Sequence, residues 1–165
     1  MRAAYAFGGP IRDSIHRFKY QGEFARAPFL ANLVFGAMKR PEFPDDQSWD
    51  LVAYVPLHSR RRRQRGFDQS RLIARHLATS LEIPAATDLK RVIDTPSQVG
   101  RSAAERRANV IDAFAWSGED LAGAKILLVD DVITTGSTMM SASRALIRAG
   151  AKRVDAIAIA RETLR

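Results

Sequence analysis

The sequence predicts an α/β fold in which an open, mostly parallel sheet is flanked by helices. Short apolar strands and amphipathic helices alternate three times after residue 49, and such alternation is typical of a parallel sheet covered on both faces. The last alternation, residues 125–160, has the length of a βαβ crossover, which joins two parallel strands. With 165 residues, of which 46% are hydrophobic, the chain is expected to form one domain with a sizeable core.

The first 48 residues are expected to form a small helical hood and a connector to the α/β core. Apolar residues at helical spacing predict two helices within Pro10–Lys39, with a break near Gln21–Gly22. The stretch 40–48 contains two prolines and two adjacent aspartates, which is typical of a connector. We therefore divide the single domain into a hood and connector at 1–48 and a core at 49–165.

The core begins with a strand at Leu51–Val55, which Pro56 ends and an arginine-rich loop follows. Asp68 is placed to cap a helix that ends before Pro84. Few apolar residues occur within Asp94–Asn109, which favours a long mobile loop there. The remaining predicted elements are strands at Leu89–Ile93, Ala113–Trp116, Lys125–Val129 and Val154–Ala160, and a helix at Met139–Ala149 with Gly150 as its C′ residue.

Charge and cysteine content narrow the function classes. The chain has 26 basic and 18 acidic residues, a net charge of +8, and only 5 of the basic residues are lysine. Because guanidinium groups pair with phosphate oxygens, we expect a nucleic acid, a phosphorylated metabolite or pyrophosphate as partner, the alternative being a solvated basic surface. The absence of cysteine excludes a disulfide framework, a thiolate metal site and a cysteine nucleophile. The absence of cysteine also favours the cytoplasm. With no apolar run of about 18 residues, we expect a soluble protein without a membrane partner.

Acidic and hydroxyl side chains are concentrated in one segment, residues 126–138. Four apolar residues, Ile126–Val129, lead directly into Asp130 and Asp131. Adjacent carboxylates at a strand end repel each other unless hydroxyl donors or a cation compensate, so we expect a polyol such as a ribose diol, or a metal-bearing ligand. The turn that follows combines backbone N–H groups and hydroxyls into an anion seat at a helix start: Thr134, Thr135, Gly136, Ser137 and Thr138. The alternative is that Thr135 or Ser137 merely caps the helix.

The segment Val129–Thr138 resembles the phosphoribosyl pyrophosphate (PRPP) signature of type I phosphoribosyltransferases. The stretches Val55–His58, Arg65–Gln69 and Glu105–Val110 narrow the resemblance to the ComF and GntX-like branch. The resemblance covers nearly the whole chain and implies the type I phosphoribosyltransferase fold, with the helical hood over the acceptor site. Members of the branch usually open with a cysteine-rich zinc ribbon, which we expect this cysteine-free chain to lack.

The resemblance implies a role for each site residue. Asp130 and Asp131 would hydrogen-bond the ribose hydroxyls of PRPP, and residues 134–138 would hold its 5′-phosphate. The pyrophosphate would bind to Leu57, His58, Ser59 and Arg60, and Arg60 would act with the two aspartates in catalysis. The predicted mobile loop would close over PRPP with Arg101, Arg106 and Arg107. Mg2+ would bridge the ribose and pyrophosphate of PRPP, with no protein residue as a direct ligand.

The resemblance leaves two questions open: which acceptor would receive the phosphoribosyl group, and whether the site catalyses a transfer at all. Purine-salvage relatives carry an aspartate at the position of Thr134, which disfavours hypoxanthine or guanine but leaves a nucleobase as one candidate acceptor. The alternative to a transferase is a non-catalytic PRPP sensor or a nucleic-acid-associated competence factor. The run Arg60–Arg63 with Arg65 leaves three interpretations open: a pyrophosphate-facing loop, a solvated charge run, or a contact with single-stranded DNA. A homodimer is one candidate assembly.

Overall fold

The computed structural model describes residues 1–43, 48–93 and 113–162. In chain order its elements are β1 (Arg2–Ala6), α1 (Gly9–Tyr20), α2 (Arg26–Met38), β2 (Leu51–Tyr54), α3 (Ser59–Arg65), α4 (Gln69–Leu81), β3 (Leu89–Arg91), β4 (Phe114–Trp116), β5 (Lys125–Ile133), α5 (Ser137–Arg148) and β6 (Arg153–Arg161). None of the helices in these ranges has the length and apolar composition that crossing a membrane requires.

The main sheet of the described residues is parallel, with four strands in the order β1-β6-β5-β2. Near its centre, Val129 of β5 lies opposite Ile157 of β6 on one side and Tyr54 of β2 on the other. Because the strands run in one direction, their carboxyl ends meet at one edge, where open α/β sheets bind ligands. The predicted α/β class, with a parallel sheet flanked by helices, is confirmed.

Both faces of the sheet are covered, because successive side chains of β5 point in opposite directions. Within Ile126–Val129, the odd-numbered residues pack into a core with α2 and α4, where Leu30 and Leu77 are fully buried. The even-numbered residues pack into a second core, formed with α5 and the β3 and β4 strands, where Phe114 and Leu146 are buried. This arrangement explains why all four residues of the run are apolar.

The first 48 residues contain more than the expected helices and connector. The two predicted helices and the break between them are confirmed by α1 and α2. However, Arg2–Ala6 adds a strand at the sheet edge, paired in parallel with β6, that the sequence pattern does not predict. Three of its five residues are alanine, which has low β-propensity, so the strand depends on its tertiary partner. Helix α2 packs against α4 and the sheet.

The strand predicted at Leu89–Ile93 is shorter and lies outside the parallel sheet. It forms β3 and pairs antiparallel with β4, the predicted strand at 113–116, in a separate two-stranded ribbon. The edge of β2 is instead bonded by the chain that leaves α4. The amide of Val52 donates to the carbonyl of Pro84 at 2.9 Å, and Ala86 donates to the carbonyl of Val52 at 2.8 Å. These residues occupy the position that a further parallel strand would need.

Two further boundaries differ from the prediction. The arginine-rich loop after β2 is the short helix α3, and β5 extends to Ile133 because Val132 and Ile133 continue the pairing with β6. Asp130 and Asp131 therefore lie within the strand instead of after it. Helix α4 with its Asp68 cap is confirmed, as is α5 with Gly150 after it. The predicted loop at 94–109 lies outside the described residues.

Candidate functional site

The carboxyl edge of the sheet brings together residues from four parts of the chain. Asp130 and Asp131 come from β5, Ser70 from the first turn of α4, and Lys19 from the last turn of α1. The fourth part is the segment that follows β2, in which the amide of Leu57 donates to Asp68, the N-cap residue of α4. Strand β5 sits next to β2 in the sheet, so these ends are neighbours by topology.

Asp130 accepts two hydrogen bonds on the same carboxylate oxygen. The hydroxyl of Ser70 donates to Oδ1 at 3.0 Å, and the backbone amide of Asp131 donates to it at 2.8 Å. Burial, reinforced by the negative charge of Asp131, raises the pKa of Asp130 to about 7. Lys19 and Ser70 act in the opposite direction, since both favour the ionised form. This carboxyl therefore changes charge near neutral pH.

Asp131 is only 5% exposed and is paired on one oxygen only. The ammonium of Lys19 lies 2.9 Å from Oδ1, whereas Oδ2 is buried and has no hydrogen-bond partner within the described ranges. The sequence argument expects a ligand to compensate the repulsion between the two carboxylates, but the protein itself supplies a hydroxyl and a cation. The argument missed Lys19 and Ser70, because they lie 112 and 60 positions from their partners and no local pattern indicates such contacts.

The turn after β5 leads directly into α5. Gly136 is the N-cap residue, with a φ of +80° that favours glycine, and it offers no side chain to cap the helix. The hydroxyls of Thr135 and Ser137 lie 2.6 Å apart, and the amide of Ser137 reaches Thr135 Oγ1 only at 3.4 Å. Thr134 and Thr135 are exposed, while Ser137 and Thr138 are half-buried. Neither Thr135 nor Ser137 occupies the N-cap position, so the purely capping alternative is weakened.

The segment expected to bind pyrophosphate lies between β2 and α3. His58 is the N-cap residue of α3, and its Nδ1 accepts from the amide of Arg60 at 3.3 Å. The amide of Leu57 donates to Asp68 Oδ2 at 2.8 Å, so this N–H is already bonded inside the protein. Ser59 is half-buried, and Arg60 is exposed in the first turn of the helix.

Asp68 connects the segment expected to bind pyrophosphate to α4. Its carboxylate accepts a hydrogen bond from the amide of Leu57 and another from the amide of Arg71, at 3.4 Å. The second bond is the N-cap interaction that the sequence predicts for α4. Burial raises the pKa of Asp68, while these two amides and the charge of Arg62 favour its ionised form. Arg62, two residues beyond Arg60, is thus an arginine of the run whose charge acts on the carboxyl of Asp68.

Three of the five arginines of α3 are exposed, and two, Arg61 and Arg65, are half-buried. Arg60, Arg62 and Arg63 are exposed, whereas Arg65 stacks over the ring of Tyr20 at 5.0 Å and bonds its hydroxyl at 3.2 Å. Phe67, which follows the run, packs its ring against Phe24 and Phe18 of the N-terminal segment. Its ring therefore stabilises the contact between α1 and the arginine segment.

Part of the predicted site lies beyond what the structure describes. Arg101, Arg106 and Arg107, predicted to close over PRPP, belong to residues 94–112, which are not described. Among the described residues, no three or more histidine, aspartate or glutamate side chains cluster in a way that could hold a metal ion.

Known proteins match both the sequence and the fold. The family model of the phosphoribosyl transferase domain matches residues 68–163. Competence protein F of Haemophilus influenzae is 35% identical over 156 residues, covering 92% of this chain and 68% of that protein. DNA utilization protein YhgH of Escherichia coli is 30% identical over 151 residues, covering 90% and 66%. The chain thus spans about two thirds of the length of these curated relatives.

A solved structure supports the fold independently. The allosteric regulatory enzyme of purine biosynthesis superposes with a TM-score of 0.52 at 22% identity, over 81% of this chain and 25% of that one. At this level of identity the likeness concerns the fold alone. It agrees with the parallel, helix-flanked sheet described above.

Proposed function

This chain belongs to the phosphoribosyl transferase family, in the branch of competence protein F, and from that membership we propose that it binds PRPP with Mg2+ and transfers the phosphoribosyl group to an acceptor. One observation carries the proposal: Asp131 Oδ2 is buried without a partner among the described residues, three positions before the turn into α5. Buried polar atoms are almost always paired, so a ligand hydroxyl is its natural partner. An acid pair followed by a helix N-terminus suits a ligand with a diol beside a phosphate.

In the proposed complex, Asp130 and Asp131 accept hydrogen bonds from the ribose hydroxyls, and residues 134–138 hold the 5′-phosphate. His58, Ser59 and Arg60 face the pyrophosphate, and Leu57 positions this segment through its bond to Asp68. Mg2+ would be supplied with PRPP and would neutralise part of the negative charge of the pyrophosphate. The metal thus needs no cluster of protein carboxylates.

The reaction exchanges one bond at C1 of the ribose for another. The bond to the pyrophosphate oxygen breaks, its electron pair leaves with pyrophosphate, and a lone pair of the acceptor forms the new bond. Positive charge grows on the sugar ring and negative charge on the leaving group, so positioning and electrostatic stabilisation supply most of the catalysis. Arg60 is the nearest cation in the sequence to the proposed pyrophosphate segment.

The test measures PRPP binding by titration calorimetry in Mg2+, followed by pyrophosphate release with a panel of bases. We expect Asp131→Asn to weaken PRPP binding about 10- to 100-fold, because a hydrogen bond to a charged group is lost. Asp13→Asn, at an exposed position on α1, is the matched control and should bind as the unaltered chain does. Equal PRPP binding by Asp131→Asn and the unaltered chain would contradict the assignment.

A second substitution tests the pyrophosphate segment. Arg60→Ala should weaken the binding of pyrophosphate more than that of ribose 5-phosphate, because only the first ligand reaches the proposed leaving-group position. Arg63→Ala, three residues along the same exposed helix, removes the same charge as a control. If Arg60→Ala weakens both ligands equally, the residue has no selective role at the pyrophosphate.

A second candidate function is non-catalytic: a PRPP sensor or a factor associated with single-stranded DNA. It is favoured by the exposed arginines of α3 and by relatives named competence protein F and DNA utilization protein. PRPP binding without pyrophosphate release for any acceptor would favour a sensor, and a salt-dependent shift of single-stranded DNA would favour the DNA role.

We also propose that the protein is cytoplasmic. A homodimer is our candidate assembly, and analytical ultracentrifugation would distinguish it from a monomer.

A further inference from the structure

A buried ion pair connects α1 to the acid pair of β5. Lys19 and Asp131 are 112 residues apart in sequence, yet their side chains meet at 2.9 Å and are only 18% and 7% exposed. Burying two charges is unfavourable unless the geometry is good and the remaining polar atoms are bonded. Here one of those atoms, Asp131 Oδ2, lacks a partner in the described part of the chain. Stability alone therefore gives a poor account of this pair.

The position of Lys19 is fixed from several sides. Ile15 and Phe18, on the same helix, are 1% and 0% exposed, so α1 is anchored in the core next to the lysine. Tyr20, which follows Lys19, is held by the guanidinium of Arg65 at 3.2 Å. An ammonium on such an anchored helix end orients the carboxylate that it contacts, as a flexible surface lysine does not.

Lys19 leaves the carboxylate able to bind a ligand. An ionised carboxylate offers about four acceptor positions on two oxygens, and Lys19 uses only Oδ1. Because Lys19 bonds Oδ1, Oδ2 is the oxygen that remains unpaired. No second donor among the described residues bonds it. The ammonium also favours the ionised form of neighbouring Asp130. Both effects make the acid pair a better acceptor for hydroxyl groups.

We propose that Lys19 is a positioning residue for the ribose of PRPP: it fixes Asp131 so that Oδ2 accepts a ribose hydroxyl, and thereby couples α1 to the sugar subsite. The inference rests on the proposed function, because it concerns the same ligand. It adds a residue from the N-terminal helix, outside residues 68–163 that match the family model. In this arrangement the helix and the ribose share one carboxylate.

The experiment is a double-mutant cycle on PRPP binding, measured by titration calorimetry. Lys19→Met should weaken PRPP binding about 10-fold or more, whereas Lys19→Arg, which keeps the charge, should stay within about 3-fold of the unaltered chain. Lys152→Met, at an exposed position, is the matched control and should leave binding unchanged. In the Asp131→Asn background, Lys19→Met should have no further effect, because Lys19 acts through that carboxylate.

Thermal melting accompanies each titration, because Lys19→Met leaves a buried carboxylate without its cation and is expected to reduce stability. If this variant fails to fold, Lys19→Met with Asp131→Asn, which buries neither charge, is compared with Asp131→Asn alone. A difference in PRPP affinity between these two variants contradicts the proposal, because Lys19 would then act without the carboxylate of Asp131.

Three results would overturn the inference or its premise. PRPP affinity that is unchanged or tighter in Lys19→Met shows that the ammonium does not help the ribose. An equal loss with and without Asp131 shows that Lys19 acts by another route. Absence of PRPP binding by the unaltered chain overturns the proposed function itself, and so is distinct from a failure of the Lys19 role.

Discussion

The acid pair of β5 and the arginine helix α3 both carry concentrated charge, of opposite sign, but they differ in burial and in the number of fixed partners. Asp131 is 5% exposed and Asp130 is half-buried, and both have bonding partners from other helices, Lys19 and Ser70. The α3 residues Arg60, Arg62 and Arg63 are exposed to solvent. The two regions are joined through Asp68, whose carboxylate binds the segment preceding α3 and responds to the charges of Arg62 and Asp131.

This contrast separates two uses of charge. A buried carboxylate with fixed partners interacts strongly and in one geometry, because little water screens it. Exposed guanidinium groups interact weakly over longer distances, and salt reduces their effect beyond about 10 Å. We therefore expect the acid pair to determine which ligand binds, and the α3 arginines beyond Arg60 to determine how strongly anions are attracted. Substitutions in the two regions should differ in size and in salt dependence.

The largest expected effect comes from Asp130, whose pKa of about 7 lies well above the ordinary value of 3.8. Because the folded state holds this proton more tightly than the unfolded state, the protein loses stability as pH rises from about 4 to 7. Asp130→Asn removes the charge and keeps an oxygen for Ser70. The variant should equal the unaltered chain near pH 4 and exceed it by about 2 to 4 kcal/mol at pH 8.

Urea denaturation at several pH values checks this expectation, with the free energy of unfolding compared between the variant and the unaltered chain. The groups that set the pKa of Asp130 are Asp131 on its own strand, Lys19 on α1 and Ser70 on α4. Asp50→Asn is a suitable control, since Asp50 is exposed just before β2. A stability difference that does not change with pH would mean that Asp130 has the same pKa in the folded and unfolded states, and would contradict the strong effect of burial on the acid pair.

An intermediate effect is expected at Asp68, which joins the two regions. Asp68→Ala leaves the amides of Leu57 and Arg71 without their acceptor, and it should lower the free energy of unfolding by about 2 kcal/mol. Asp68→Asn removes the charge and one of the two acceptor oxygens but keeps an oxygen that can cap α4, so its loss should be smaller, about 1 kcal/mol. Urea denaturation distinguishes the two. Equal losses would show that the oxygen which Asn retains contributes little, and that the charge or the second oxygen holds the segment.

The site was predictable from sequence where its residues are contiguous. The run from Val129 to Thr138 contains the acids, the turn and the helix start in one stretch, and local patterns were sufficient to predict a strand, a turn and a helix there. Asp68 could also be predicted as a cap, because capping depends on neighbouring residues. Local chemistry was therefore well represented in the sequence pattern.

The partners of the acids could not be predicted in the same way. Lys19 and Ser70 reach Asp131 and Asp130 only because α1 and α4 pack beside the sheet edge, and no local spacing encodes that packing. The same holds for Arg2–Ala6, an alanine-rich strand that β6 stabilises, and for β3, whose partner strand the sequence does not indicate. Tertiary context overrides propensity at these positions.

The smallest expected effect comes from the arginine helix. Arg62→Gln with Arg63→Gln should change the free energy of unfolding by less than about 0.5 kcal/mol, because both side chains are exposed. A charge about 10 Å from an anion in water contributes about 0.4 kcal/mol, so PRPP affinity at low salt should fall about 3- to 4-fold for the pair.

The matched control is Arg148→Gln with Lys152→Gln, which removes two positive charges at the end of α5 and before β6. Calorimetry at low salt and at about 0.5 M salt should show that the α3 effect disappears as screening increases. An effect that persists at high salt would mean that Arg62 or Arg63 contacts PRPP directly. In that case Arg62 or Arg63 would share the short-range role that we propose for the acid pair and for Arg60.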